Sequence, residues 1–259
     1  MNASRIIAIC NQKGGVGKTA LTTALADVLS AFGDVLVVDA DPQANATSIL
    51  GVEVGPGELT LADLLSPDRP ADLADSVGAA VRASGEVWPR VDVLPAERGL
   101  AGREADATLG RESRLREVLE VLPGGYRWVL IDCPPSLGML TINALVAAGQ
   151  ALVVTEPRTS SVGAVAEMVQ TIAAVRTHYN PRLSLAGVVV NRWTSSRLDR
   201  RAHWEVLADE YGDWLLTPGI PEREVVAVAA TNACPILREG AGAEVMAAVE
   251  AIARAGGVL

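Results

Sequence analysis

Short, nearly uninterrupted apolar runs recur along the chain, each followed by a stretch where apolar residues return every three or four positions. Arg5 to Cys10, Val35–Val38, Val91–Leu94, Trp128–Ile131, Ala151–Thr155 and Leu185–Asn191 read as strands, with a shorter one at Trp214–Leu216. Runs apolar at every position mark strands of a parallel sheet buried on both faces. Helical spacing predicts a first helix over Leu21 to Leu29, burying Leu21, Leu25, Val28 and Leu29. Further helices are expected at Leu59–Leu65, Leu73–Ala83, Arg111–Leu122, Leu137–Ala148, Val162–Thr177, Leu198–Tyr211 and Ala241–Ala255. Strict alternation of this kind predicts an α/β fold, a mostly parallel twisted sheet with helices on both faces. Right-handed crossovers then bring the strand tips to one edge. Between Gly51 and Gly110 the pattern loosens around Pro56, Pro67 and Pro70, but no linker or repeat divides the chain. Residues 1–259 read as a single domain, with 51–110 an elaboration within it.

Composition narrows the class. Hydrophobic residues make up 49 % of 259, enough for a full core and against disorder. Twenty-two basic against 31 acidic residues give a net charge of −9, so contact with DNA would need a local basic patch and would be salt-sensitive. Cys10, Cys133 and Cys234 lie far apart, which speaks against a zinc or iron–sulfur site and a disulfide framework. No apolar run reaches the ~18–20 residues of a membrane span. The N-terminus lacks the pattern of a signal peptide, and a reducing, cytoplasmic setting is expected.

Between the first strand and the first helix lies Asn11-Gln12-Lys13-Gly14-Gly15-Val16-Gly17-Lys18-Thr19. Strand, glycine-rich loop and helix in that order form a phosphate-binding loop: glycine lets backbone N–H groups close around an anion, and the helix N-terminus adds its dipole. Six fixed positions at ordinary residue frequencies put chance agreement at roughly 10⁻⁷ per window, against the bland reading of a helix-capping turn. Lys18 is placed to reach the terminal phosphates and the Thr19 hydroxyl to ligate Mg²⁺. Gln12 stands where the usual pattern has glycine, and Lys13 is an additional lysine. Two apolar strands end in acids: Val35–Val38 in Asp39-Ala40-Asp41-Pro42-Gln43, and Trp128–Ile131 in Asp132. Beyond the carboxyl ends of parallel strands, such acids face a ligand, and an aspartate like Asp132 commonly holds Mg²⁺ through water. Cys133 reads as a small packed residue, since no histidine lies near it in sequence.

Together with Asn45-Ala46-Thr47, Leu94-Pro95-Ala96, Ile131 to Gly138, Asn143-Ala144-Leu145 and Gly219-Ile220-Pro221, these residues resemble the ParA/MinD family of P-loop ATPases with the deviant phosphate loop. The similarity is nearest to short, Soj-like ParA partition ATPases. It implies an ATP- and Mg²⁺-dependent switch in which a homodimer sandwiches two ATP molecules. Lys13 would reach the partner's nucleotide, Lys18 would stabilise the transferred phosphoryl group, and Asp41 would orient the attacking water. Thr19 and Asp132 would hold the magnesium site and Asp39 would support it. Gly14, Gly15, Val16, Gly17 and Ala20 complete the nucleotide loop, while Asn191 and Pro221 would line the adenine. A ParB-type adaptor would stimulate hydrolysis, and the ATP form would ride non-specifically on nucleoid DNA.

Three departures from the family pattern stand out. Ala20 replaces a frequent hydroxyl residue, Ala44 a frequent glycine, and Pro221-Glu222-Arg223-Glu224-Val225 lacks the arginine pair usual after that proline. The basic cluster Arg192, Arg197, Arg200 and Arg201, interrupted by Asp199, is then either a DNA-facing patch or a solvated helix face. MinD-like membrane cycling would need a basic amphipathic C-terminal helix, and Arg254 is the one basic residue from Ala251 to Leu259. A metabolic ligase using the same loop is the remaining alternative.

Overall fold

The computed structural model describes residues 4–259. Among these residues eight strands form one sheet: β1 (Arg5–Cys10), β2 (Val35–Asp39), β3 (Arg82–Ala83), β4 (Val91–Leu94), β5 (Trp128–Asp132), β6 (Gln150–Thr155), β7 (Ser184–Val190) and β8 (Leu215–Leu216). Their order is β3-β4-β2-β5-β1-β6-β7-β8. Every pairing is parallel except β3 with β4. The central strand β1 runs in register with β5 from Arg5↔Trp128 to Ile9↔Asp132.

Among the described residues ten α-helices cover the sheet: α1 (Lys18–Ser30), α2 (Asn45–Ile49), α3 (Leu61–Leu64), α4 (Leu73–Ala80), α5 (Arg114–Glu120), α6 (Met139–Ala147), α7 (Thr159–His178), α8 (Leu198–Tyr211), α9 (Glu224–Thr231) and α10 (Gly240–Ala255). The two-residue period of β1 sends Ile7 and Ile9 to one face, where Leu25 and Leu29 of α1 and Val249 and Ile252 of α10 meet them. Ala8 and Cys10 point the other way, into a second core with Leu140 and Ala144 of α6 and Val165 and Met168 of α7. Each fully buried Leu or Ile in these layers contributes roughly 1.5–3 kcal/mol.

The elements differ from the sequence expectation where side chains or tertiary pairing set the boundary. α3 starts at Leu61 because Thr60 and Asp63 form a reciprocal capping box. The helix expected to reach Ala83 stops at Ala80, since Val81 turns extended and Arg82–Ala83 pair antiparallel with β4. The helix expected from Arg111 opens as a 3₁₀ turn, Arg111–Ser113. α2, α9 and a 3₁₀ segment over Arg98–Ala105 were not expected at all.

Candidate active site

The loop between β1 and α1 is held from below. Asn11 is fully buried; its Nδ2 donates to Val154 O of β6 at 2.7 Å, and its Oδ1 accepts the Lys13 N–H at 3.1 Å. At the other end Gly17 takes φ 93° and caps α1. A β-carbon there would lie 2.0 Å from Asn191 Nδ2, so only glycine fits. That amide donates to Val16 O at 2.8 Å, tying the β7 tip to the loop. Lys18 lies 6 % exposed beneath the loop, its Nζ donating to Lys13 O at 3.3 Å. Burial lowers its pKa, opposed by the charges of Asp132 and Asp41 among its neighbours.

The acidic tips converge below Lys18. Asp39 and Asp132 are neighbours in the β2–β5 register and both fully buried. Asp132 accepts the hydroxyls of Thr19 at 2.7 Å and Thr22 at 3.2 Å. Asp39 accepts the Thr47 N–H at 2.8 Å, the Thr47 hydroxyl at 2.7 Å and the Asp41 N–H at 3.1 Å. Burial pushes both carboxyls above the ordinary carboxylate range; for Asp132, the charge of Asp39 adds to it. Asp41, 8 % exposed, accepts the Gln43 N–H at 2.9 Å. Cys10 and Cys133 are fully buried, with thiols pushed up by burial, as packing residues should be.

These groups fit a magnesium ion carried by a nucleotide. A threonine hydroxyl and buried carboxylates are hard oxygen donors. Two adjacent acids whose charged forms are disfavoured supply a site that a cation would relieve. No group of three or more His, Cys, Asp or Glu side chains able to hold a metal exists among the described residues. The ion's remaining ligands would therefore be phosphate oxygens and water.

Beside the loop, Gly17, Ala20, Asn191, Arg192 and Pro221 line a cavity of about 530 Å³. Trp193 N donates to Ile220 O at 2.8 Å and Glu222 N to Trp193 O at 3.1 Å, which holds the Pro221 loop against the β7 tip. Val226 and Ala230 of α9 close one wall. Sequence reading missed that wall because the β-branched stretch Glu224–Thr231 carries no helix-start signal beyond Glu224 itself.

The four-arginine cluster does not form one exposed patch. Arg200 is 5 % exposed, pairs with Glu222 at 2.9 Å and donates to Arg192 O. Arg192 is anchored at 2.5 Å by Glu156, a buried carboxylate that also holds Arg158 at 2.8 Å. Glu222 of the Pro221 loop thus holds Arg200 inside, whereas the Arg192 side chain, pinned to the β6 tip by Glu156, stays 44 % exposed. Arg197, paired with Asp199 at 3.5 Å, and Arg201 remain on the surface.

A protein-family model described as an AAA domain matches residues 4–185. The chromosome partitioning protein ParA of Caulobacter vibrioides is 38 % identical over 242 residues, 91 % of this chain and 87 % of that protein. The sporulation initiation inhibitor protein Soj of Bacillus subtilis is 40 % identical over 189 residues, 72 % of each chain. Among solved structures, one described as a cobyrinic acid a,c-diamide synthase from Mycobacterium smegmatis, with bound ATP analog and magnesium, shares 32 % identity at a TM-score of 0.75, covering 89 % of this chain and 92 % of that one. An ATP complex of McdA from Cyanothece superposes with a TM-score of 0.86 at 24 % identity over 99 % of this chain and 98 % of that one, a likeness of fold.

Proposed function

We propose that this chain, which belongs to the ParA family of P-loop ATPases, works as a nucleotide-gated dimer that moves DNA cargo. At family level it is a partition ATPase, and it hydrolyses ATP with Mg²⁺. The observation that carries the site assignment is the convergence of Lys18, Asp39, Asp41 and Asp132 beneath one glycine loop on one sheet edge. The N–H groups of Gly14 to Thr19 cradle the phosphates, and the Lys18 ammonium turns from Lys13 O towards the terminal phosphoryl group. Thr19 and Asp132 would hold magnesium with Asp39 in support, and the bound ion would neutralise charge on the phosphate oxygens. Asp41 would accept a hydrogen bond from the attacking water. Lys13, supplied across a dimer interface, makes charge compensation depend on dimerisation. Ala20, Asn191 and Pro221 border the adenine. Residues 1–259 act as one unit.

A ParB-type adaptor would accelerate hydrolysis, and DNA would be held through the exposed Arg197 and Arg201. With about four phosphate contacts per dimer, log affinity should fall with log salt at a slope near −3.6, shallower than for a full arginine patch. Sedimentation with ADP, ATP and a slowly hydrolysed analogue, with and without duplex DNA, tests the whole reading. Asp41→Ala should accumulate an ATP-bound dimer with hydrolysis reduced at least tenfold, and Lys18→Ala should remain monomeric. A monomer under every nucleotide, or equal DNA retention with ADP and ATP, would overturn it. The likeness to the structure described as a diamide synthase favours a second reading, ATP-driven amidation of a small carboxylic acid. Amide formation from such an acid and an ammonia donor would establish it.

A further inference from the structure

The loop Cys133–Gly138 joins Asp132 to α6 and passes the phosphate loop, where a methyl group at Gly14 would sit 3.7 Å from Pro135 Cβ. Its near end is fixed by Cys133 N donating to Ile9 O at 3.1 Å and by Asp132 itself. Its far end has no cap of its own: Gly138, at the N-cap of α6, has no side chain to offer. The cap comes from 35 residues earlier, where Glu104 Oε2 accepts the Met139 N–H. Glu104 Oε1 accepts the Ser136 hydroxyl at 3.3 Å, and Ser136 Oγ accepts the Gly138 N–H at 3.3 Å. The carboxylate occupies the space a side chain at 138 would need, since a β-carbon on Gly138 would lie 2.2 Å from Glu104 Oε2 and would displace it. Glu104 belongs to the 3₁₀ segment Arg98–Ala105, anchored by the fully buried Leu100.

We infer that Glu104 is a positioning residue for ATP hydrolysis: its carboxylate clamps the far end of Cys133–Gly138 and so holds Pro135 against the phosphate loop and Asp132 beneath Thr19. A carboxylate at a helix N-terminus is matched to the dipole and to orphan N–H groups there. The bound triphosphate is gripped mainly by the loop Gly14–Thr19, which Glu104 does not touch. Loss of the clamp therefore loosens the hydrolytic geometry more than it weakens binding.

This inference rests on the ATPase activity, and steady-state kinetics on the full chain test it. Glu104→Ala should lower kcat about tenfold while KM for ATP stays within about twofold. Glu104→Gln, which keeps one acceptor oxygen for Met139 N–H, should recover to within about threefold of the unaltered chain. Amide hydrogen exchange over 136–141 should rise at least tenfold in Glu104→Ala and return in Glu104→Gln. Asn143→Ala is the control for simple loosening of α6, because Asn143 ties that helix to Leu115 N and Arg111 O, and to its own first turn at Met139 O, without touching Glu104 or the loop Cys133–Gly138; it should lower the thermal midpoint and leave kcat unchanged. Unchanged kcat in Glu104→Ala, or an equal kcat loss in Asn143→Ala, would overturn the proposal. An unaltered chain without ATPase activity would refute the enzyme reading instead.

Discussion

Ala44 has a left-handed backbone, φ 54°, at the N-cap of α2. A β-carbon in that region costs roughly 1–2 kcal/mol, partly offset by the freedom a glycine would have in the unfolded chain. Ala44→Gly should therefore stabilise the protein by about 0.5–1 kcal/mol, read as a higher urea midpoint at constant slope; a lower midpoint would show the alanine methyl contributes more through packing. Gly17 is the converse case. There Gly17→Ala combines positive φ with a 2.0 Å approach to Asn191 Nδ2, and nucleotide affinity should fall at least a hundredfold by equilibrium titration. The glycine at 17 and the acids at 39, 41 and 132 were legible in sequence because phosphate loops and strand tips impose residue types at fixed spacing. The inward turn of Arg200 was not. Its partner Glu222 lies on another loop, and nothing local distinguishes a paired arginine from a solvated one.

Strands were the most readable elements. β1, β2 and β5 are apolar at almost every position because both faces are covered, and the notation of burial is written directly in their residues. Elements whose existence depends on a distant partner were not readable. β3 is two residues that pair with β4, and the 3₁₀ segment 98–105 is held by Leu100 and by Glu104 reaching α6. α8 was located correctly from Leu198 to Tyr211, yet its role in the site comes from Arg200, which joins it to the Pro221 loop through Glu222 and to the β7 tip through Arg192 O. Arg200→Ala should unpin that loop and weaken ATP binding about three- to tenfold in calorimetric titration. Unchanged affinity would mean the Trp193–Pro221 bridge alone holds the cavity wall.

For the molecule as a whole, the buried acid pair sets a pH dependence. Ordinary carboxylates titrate near pH 4, whereas burial keeps the coupled pair Asp39 and Asp132 protonated to higher pH in the folded state, the pair losing its protons at about 6 and about 7. The folded chain thus binds more protons than the unfolded one across this window, and stability falls as pH rises through it. Asp106 and Glu117, held below the usual range by hydrogen bonds and arginine partners, titrate under the window and act in the opposite sense there. Without divalent cation, the thermal midpoint should be higher at pH 5.5 than at pH 8, and Mg²⁺ with ATP at a hundred times its Kd should restore about 2.7 kcal/mol at the higher pH. A midpoint that rises with pH in cation-free buffer would contradict the burial of the pair. The sheet order carries a consequence for synthesis. β1 leaves the ribosome first but pairs with β5, whose Trp128 stands opposite Arg5. At about 5–20 residues per second, the first strand waits on the order of 6–25 s for that neighbour. During that interval an apolar ribbon and an unformed phosphate loop travel together, so nucleotide capture becomes a late event that reports a paired central sheet rather than a lone first strand.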